Sequence, residues 1–171
     1  MIDLVGVAFL EESKQGAGYP MNTDGKPATP VSIDKLGQAK AGSGHDCFLK
    51  GITVMLDIEA PAYVWQQVQR YHFFDIVSSQ SKMHRLEGLL KEDDVELKEV
   101  YNLYKKGEMN LEEVLDIVPM GLRLKARCVT NYLQLKTMYH QRKNHRLQFW
   151  NTHFKEFCES LPEFTQLVLG E

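Results

Sequence analysis

The sequence has few cysteines and shows no spacing of histidines or cysteines that is typical of a zinc site. Only three cysteines are present, Cys47, Cys128 and Cys158; they are widely spaced and no CxxC pair occurs. An odd number of separated cysteines argues against a disulfide framework, so we interpret them as free thiols in a reducing environment, which predicts a cytoplasmic protein. His140 and His145 lie five residues apart, whereas a zinc-binding pair on one helix is spaced by four. No metal site is therefore predicted.

The sequence also lacks long apolar runs and an excess of positive charge. No stretch approaches the length of a transmembrane helix, and the N-terminus has no charged region followed by an apolar one, so we expect no membrane association. Twenty lysines and arginines against 23 aspartates and glutamates give a formal net charge of −3. That balance argues against general nucleic-acid binding. The basic segment 139–146 could contact phosphates, but a second basic stripe of that size is missing, so nucleic acid is only a minor alternative.

What the sequence does contain is the composition of one globular domain. A chain of 171 residues with 43% apolar and 25% charged residues is long enough to bury a sizeable core. We therefore predict a single domain over residues 1–171. Glycine and proline are frequent between residues 11 and 31, which predicts a long loop there.

The stretch 44–85 predicts a strand followed by a helix. Apolar residues occupy every second position, which is the period of a half-buried strand: Ile52, Val54, Leu56 and Ile58. Pro61 follows, and proline suits the first turn of a helix because its missing N–H would be unpaired there. Gln67 and Arg70 are three apart and so share a helix face. The basic end of this helix precedes a serine-rich loop at 78–82, an arrangement that suits an anion or a flavin.

A second stretch repeats this order of strand and helix. Four small or apolar residues alternate with three cations: Leu122, Leu124, Ala126 and Cys128 with Arg123, Lys125 and Arg127. The cationic face is either a solvated sheet face or the wall of an anion-binding cavity, and we predict that carboxylates or anions cover it, because like charges close together repel. Asn131 then begins a helix that ends near Arg142, and the helical period places these two residues on one stripe.

Weaker patterns predict the remaining elements. We predict a strand over 1–10 and helices over 32–40, 83–91, 95–105, 111–118 and 148–161. Asn110 begins the helix 111–118 as a capping-box residue, and Pro119 ends it. Strands and helices together predict the α+β type of α/β fold, a mixed or antiparallel sheet packed with helices.

Two blocks of the sequence together resemble the flavin-dependent thymidylate synthases. In the first block, Gly44-His45, a strand, Ala-Pro, Gln-x-x-Arg and an aromatic-basic pair follow in the order of that family. In the second, a set of residues falls at the family spacing without a gap: Pro119, Asn131, Leu135, Arg142 and Gln148. The blocks cover roughly residues 44–85 and 116–150, about half of the chain.

The sequence also departs from the family pattern. The family signature is Arg-His-Arg, seven residues and then serine, whereas this chain has Arg70-Tyr71-His72, seven residues and then Gln80-Ser81. The loop arginine that grips the nucleotide phosphate in the family is replaced by Lys82, or by Met83 if Ser81 is the matching serine. Phe149 stands where the family has tryptophan. The resemblance therefore implies the fold of the family with altered phosphate-binding residues.

The resemblance implies roles for particular residues. Arg142 would hold and polarise the pyrimidine, and it is implied as catalytic together with Ser81. The implied cofactor-binding residues are His45, Gln67, Arg70 and Asn131. The implied substrate-binding residues are Gln80, Ser81, Lys82 and Arg142. Either arginine alone could instead be structural, because the dipole at a helix C-terminus favours any cation.

The resemblance further implies an enzyme that methylates dUMP or a related pyrimidine nucleotide. FAD would be the bound cofactor, methylenetetrahydrofolate the carbon donor and NADPH the reductant of the flavin. A homotetramer with active sites shared between subunits is also implied. One alternative is a diverged relative that binds nucleotide or flavin without methylating, and another is a structural assembly protein. Colour would separate them, because a protein with bound flavin is yellow.

Overall fold

The computed structural model describes residues 1–21, 30–83 and 95–170. Four strands form one antiparallel sheet in the order β1-β2-β4-β3. The strands are β1 (Ile2–Ala8), β2 (Thr53–Pro61), β3 (Phe74–Ser79) and β4 (Arg123–Asn131). The predicted α+β class with an antiparallel sheet is confirmed.

Short helices connect the strands and follow the last of them. The α-helices are α1 (Leu10–Gly16), α2 (Pro30–Gln38), α3 (Ala62–Val68), α4 (Val95–Lys105), α5 (Leu111–Ile117), α6 (Tyr132–Arg142) and α7 (Lys155–Glu159). Turns of 3₁₀-helix lie at Tyr19–Met21 and Cys47–Lys50, and turns of π-helix lie at Phe149–Phe154 and Thr165–Leu169. None of the helices in the described ranges combines the length and apolarity that crossing a bilayer requires.

The two predicted strand-helix units form the centre of the fold. β2 and β4 pair antiparallel from Thr53 opposite Asn131 to Pro61 opposite Arg123, and each strand leads directly into a helix. The helix N-caps are the last strand residues, Pro61 for α3 and Asn131 for α6. Pro61 therefore lies at the cap itself, one residue before its predicted place in the first turn.

The core lies on one face of the sheet, where the alternation of β2 predicted it. Val54, Leu56 and Ile58 are 0–1% exposed, and the aromatic side chains of Trp150 and Phe154 from the C-terminal helical region are as deeply buried. Burial of one large aliphatic side chain contributes about 1.5–3 kcal/mol. Helices α4 and α5 pack around a separate, smaller cluster.

The opposite face of the sheet carries the three cations of β4, each beside a carboxylate of β2. Arg127 donates to Asp57 over 2.8 and 3.1 Å, Lys125 lies 3.4 Å from the same carboxylate, and Arg123 bonds to Glu59. Hydrogen bonding to Arg127 lowers the pKa of the Asp57 carboxyl. The prediction of neighbouring carboxylates is confirmed. The cationic side chains stay 43–48% exposed, so this is a solvated sheet face of paired charges.

The long loop predicted over residues 11–31 is wrong at both of its ends. Helix α1 occupies the first part, and α2 begins at Pro30, two residues before its predicted start. Residues 22–29 lie outside the described residues. Lys14 forms ion pairs with Glu11 at 3.0 Å and with Glu163 at 2.8 Å, and these contacts stabilise a helix that the density of glycine and proline concealed.

The serine-rich loop predicted after the first helix is partly wrong, because Ser78 and Ser79 belong to strand β3. A register shift between Ile76 and Ser78 breaks the alternation that would have revealed the strand. The strand also lies at the edge of the sheet, and all of it beyond Phe74 is exposed, including Ile76 and Val77, so no buried face gives its sequence an apolar alternation. The helix predicted over 83–91 lies, beyond Met83, outside the described residues.

Candidate functional site

Helix α6 begins at Asn131 as the sequence predicts. The Asn131 side-chain oxygen accepts a hydrogen bond of 2.9 Å from the backbone N–H of Gln134, which is the standard way to satisfy a free donor at a helix start. The residue is half-buried at the end of β4. Its oxygen is thus occupied by the helix, while its amide nitrogen is the group that could contact a ligand.

The other end of α6 carries Arg142, which is held from two sides. Its Nε donates to the hydroxyl of Tyr71 over 2.8 Å, and its Nη1 donates to Oε1 of Gln67 over 3.2 Å. The guanidinium also lies 4.9 Å from the centre of the Trp150 ring and 5.7 Å from that of Tyr71. Such stacking favours arginine over lysine. Arg142 therefore has a fixed position at the surface end of a rigid helix.

Two further bonds hold the partners of Arg142 in place. The Trp150 indole N–H donates to Gln67 Oε1 over 2.8 Å, and the Tyr71 hydroxyl donates to Gln141 over 3.0 Å. We call these five residues the Arg142 cluster: Gln67, Tyr71, Gln141, Arg142 and Trp150. The structure thus joins two predicted site residues, Gln67 and Arg142, by direct contact.

Sequence reasoning missed Trp150, Gln141 and the role of Tyr71. Trp150 stands one place after the position where the family has tryptophan, and a π-helical turn, a feature frequent at functional sites, carries it against Arg142. Tyr71 stands where the resemblance implies the signature histidine, and its hydroxyl accepts a hydrogen bond from Arg142. The signal that could have found it is the aromatic-basic pair itself, since a phenol can accept from a guanidinium.

His145 lies three residues beyond Arg142 and is electrostatically coupled to it. Burial, together with the charges of Arg142 and Arg146, lowers the pKa of the imidazole. Its Nδ1 accepts from the backbone N–H of Leu147 over 3.1 Å. The lowered pKa favours the neutral imidazole, so the positive charge of this segment lies on Arg142 and Arg146.

His45 lies in an exposed loop next to a buried ion pair. Asp46 and Lys136 are 1% and 2% exposed, and Lys136 Nζ donates to Asp46 Oδ2 over 2.7 Å. The same ammonium donates to the carbonyls of Gly37, over 2.8 Å, and of Ala39. Sequence reasoning did not single out either member of the pair. It joins α6 to the loop that carries a predicted flavin contact.

The remaining predicted site residues lie elsewhere on the surface. Arg70 is exposed two residues beyond the end of α3, so it does not share a helix face with Gln67 as predicted. Gln80 extends the β3–β4 ladder: its N–H donates to the Lys125 carbonyl over 2.9 Å and its Oε1 accepts from the Lys125 N–H over 3.2 Å. Ser81 and Lys82 follow it and are half-buried. Within the described ranges, Arg142 makes no hydrogen bond to any of these four.

A cavity of about 250 Å³ is separate from the Arg142 cluster in its lining residues. Its walls come from α3, β3 and β4, and they include Trp65, Gln66, Gln69 and Ser79. No member of the Arg142 cluster lines it. In the part of the chain that the structure describes, no three potential ligand side chains are grouped closely enough to hold a metal ion.

The three thiols are expected to differ sharply in reactivity. Cys47 is exposed, whereas burial raises the pKa of Cys128 to about 12 and raises that of Cys158 well above its ordinary value. Since the thiolate is the reacting species, a thiol reagent at pH 8 should modify about one cysteine per folded chain and three after denaturation. Titration of wild type and Cys47→Ser with a chromogenic disulfide checks this; fast modification of the Ser variant would contradict the burial.

Comparison with solved structures identifies the fold. Two crystal structures of the flavin-dependent thymidylate synthase ThyX from Helicobacter pylori, each with FAD and dUMP, match 98% of this chain and 96% of theirs. The TM-scores are 0.75 and 0.77 at sequence identities of 13% and 12%. No protein-family model and no curated protein sequence matches the chain. The resemblance read from the two sequence blocks is thus confirmed at the level of the fold.

Proposed function

We propose that this chain, which has the flavin-dependent thymidylate synthase fold, methylates dUMP or a related pyrimidine nucleotide. The observation that carries the proposal is the Arg142 cluster. At the position that the family resemblance implies for nucleotide binding, Gln67, Tyr71 and Trp150 hold a guanidinium in one place. Both matched structures carry FAD and dUMP, which supports the same ligand classes here.

The chemistry of a fixed guanidinium suits this task. Arg142 uses Nε and Nη1 for its intramolecular bonds, and Nη2 is the group positioned to bond to a ligand oxygen. Because Arg142 is half-buried against an aromatic ring, its charge is less screened than that of a surface arginine. It can therefore bind a pyrimidine carbonyl and stabilise negative charge that develops on the ring.

The residues present fit the cofactor by the chemistry of their donors. His45 and Arg70 are exposed, and within the described residues no hydrogen bond or ion pair occupies their side chains. Gln67 and Asn131 have oxygens engaged within the protein and amide N–H groups suited to flavin carbonyls or phosphates. These four residues would hold and orient FAD, which supplies hydride when reduced by NADPH, while methylenetetrahydrofolate supplies the carbon.

In this proposal, the residues that bind the nucleotide phosphate lie in the segment that follows β3. Lys82 would bind the phosphate as a point charge, and Ser81 would donate a hydroxyl beside it. Gln80 holds the segment to β4 through its two bonds with Lys125. A homotetramer in the cytoplasm, with active sites shared between subunits, completes the proposal. Sharing would explain how residues that do not touch within one chain could meet at one ligand.

A diverged relative without methylating activity is the second candidate. The observation that favours it is the hydrogen bond from Arg142 Nε to the Tyr71 hydroxyl. Tyr71 stands where the resemblance implies the signature histidine, and this bond uses a guanidinium donor that a nucleotide could otherwise accept from. A structural assembly protein with this fold is the third. Binding of flavin or nucleotide separates the third from the first two, and turnover separates the first from the second.

Flavin binding is the first test of the proposal. The purified protein, after incubation with FAD and removal of free ligand, should be yellow, and FAD titration followed by fluorescence should saturate. Conversion of dUMP should then require FAD, NADPH and methylenetetrahydrofolate together. Saturable FAD binding without turnover would support the diverged relative, and the absence of any flavin binding would refute the enzyme proposal.

Substitutions at Asn131 should separate its helix-capping role from a cofactor contact. Alanine removes the cap and should lower the free energy of unfolding by about 1 kcal/mol, whereas aspartate keeps an N-cap oxygen and should be nearly neutral for stability. Aspartate nevertheless lacks the amide N–H donors and adds a negative charge, which would repel the phosphates of FAD. We expect Asn131→Asp to weaken FAD binding about tenfold while unfolding as wild type does. Unchanged FAD affinity in this variant would remove Asn131 from the site.

A further inference from the structure

We propose that Lys136 and Asp46 are positioning residues that close the loop carrying His45 and set its distance from Asn131 and Arg142. This inference rests on the proposed function, in which His45 lies beside the flavin. It concerns two buried residues that neither the sequence analysis nor the proposed binding site includes. Three features support it. Lys136 contacts both ends of the loop, the loop has few hydrogen bonds of its own, and helix α6 also carries Asn131 and Arg142.

The two ends of the loop meet on a single ammonium group. The loop comprises residues 40–45, and it is flanked by Ala39 on one side and Asp46 on the other. Lys136 Nζ donates to the Ala39 carbonyl and to Asp46 Oδ2, and its third donor goes to the Gly37 carbonyl at the end of α2. An ammonium has three donors, and all three are used. The Lys136 side chain therefore holds the two ends of the loop, Ala39 and Asp46, together.

Inside the loop, the described hydrogen bonds are few. Ser43 N–H donates to the Lys40 carbonyl over 3.0 Å, and His45 N–H reaches Ser43 Oγ over 3.4 Å. Gly42 and Gly44 both have φ of +83°, a conformation that glycine adopts at little cost. All residues of the loop are exposed. The shape of the loop therefore depends more on the contacts of Lys136 with its two ends than on packing within the loop.

The closing lysine belongs to the same helix as two other proposed site residues. Asn131 caps the start of α6, Arg142 ends it, and Lys136 lies between them. Leu135 and Met138 are 0% exposed, so the helix is firmly packed in the core. A rigid helix that fixes the His45 loop, a flavin contact and the nucleotide arginine sets their relative placement, which is where much of a two-substrate rate advantage arises.

A purely stabilising role does not account for the geometry equally well. An apolar pair of similar volume is often as stable as a buried ion pair or more stable, because the charges must be desolvated. What an apolar pair cannot supply are directional bonds to the two backbone carbonyls. The arrangement therefore points to placement of the loop as the property that the ion pair provides.

The test separates loop placement from global stability. The double variant Lys136→Met/Asp46→Leu should stay folded, while the amides of Ser43, His45 and Cys47 exchange hydrogen about tenfold faster and those of α5 are unchanged. Its FAD affinity should fall about tenfold. The charge swap Lys136→Asp/Asp46→Lys should not restore either property, because it moves the ammonium away from the carbonyls. Lys155→Met, which removes a partly exposed ion pair on α7, serves as the matched control.

The outcomes distinguish this inference from the proposed function. Unchanged loop exchange in the double variant, or full rescue by the charge swap, would overturn the inference. If the double variant does not fold, Asp46→Asn, which keeps an acceptor for Lys136, should accelerate the same amides by a smaller factor, and no acceleration would overturn the inference equally. If wild type binds no FAD, the proposed function fails, and hydrogen exchange still decides whether the pair closes the loop.

Discussion

Replacing Lys136 with alanine should lower the free energy of unfolding by about 3–5 kcal/mol. The reason is not the loss of an attraction alone. Asp46 would be left 1% exposed without its counter-ion, and the carbonyls of Gly37 and Ala39 would lose a donor. Urea unfolding followed by circular dichroism measures the change. Asp46→Ala should have an effect of the same order, because it leaves the ammonium without its anion.

A matched control shows whether burial causes this effect. Lys155 lies 3.5 Å from Glu159 on α7, and the two side chains are 41% and 32% exposed. Lys155→Ala should cost about 0.3–0.5 kcal/mol, since water and salt screen such a pair. Comparable losses in Lys136→Ala and Lys155→Ala would show that the buried pair contributes no more than a surface pair.

Replacing Arg142 with alanine should weaken dUMP binding roughly ten- to a hundredfold, since a charge-assisted hydrogen bond is worth about 1.5–3 kcal/mol. The resemblance implies that the loop arginine which binds the nucleotide phosphate in the family is replaced by Lys82 or Met83 in this chain, so we expect Arg142 to contribute more of the affinity. Lysine should restore only part of it, because it lacks the planar fork and the stacking on Trp150. Calorimetry with dUMP on wild type and both variants measures the effect.

Tyr71→Phe provides the control for the position of Arg142. It removes the hydroxyl that accepts from Arg142 Nε while keeping the aromatic ring. We expect a loss of a few-fold in affinity, smaller than that of Arg142→Ala, because the variant removes one support of the guanidinium and leaves its own bond to the nucleotide in place. Equal affinity in wild type and Arg142→Ala would place the nucleotide elsewhere. The absence of dUMP binding by wild type itself would favour the diverged relative.

The central part of the fold could be predicted because its physical signals are local. Alternation over residues 52–58 and 122–128 depends only on which side chains face the core, and the cap at Asn131 depends on one side chain and the turn beside it. Strand β3 could not be predicted in the same way. Its bulge disrupts the alternation, and beyond Phe74 every residue is exposed, so Ile76 and Val77 do not mark a buried face.

Site residues could be predicted from the sequence where they stand at the spacing of a motif. They could not be predicted where their role depends on a contact with a residue far away in the sequence. Arg142 and Gln67 stand at motif spacings, but their contact joins residues 75 positions apart. The bond between Asp46 and Lys136 spans 90 positions. Lys136 also lies on a helix that is buried on several sides, where a lysine gives no periodic signal. Only the folded arrangement shows which of the chain's cations is buried and paired.

The pairing of β2 with β4 has a consequence for how the chain reaches its native state. Asp57 and Arg127, which face each other across this central ladder, are 70 positions apart. Non-local pairing of this kind slows folding, because closing a long loop costs conformational entropy before the contacts between the two strands stabilise the chain. The same entropy depends only weakly on length, since doubling the loop costs about 0.6 kcal/mol. The spacing within each strand-helix unit and within β3 is constrained by the register of the sheet, whereas a change in the length of the connection between β3 and β4 costs little loop entropy.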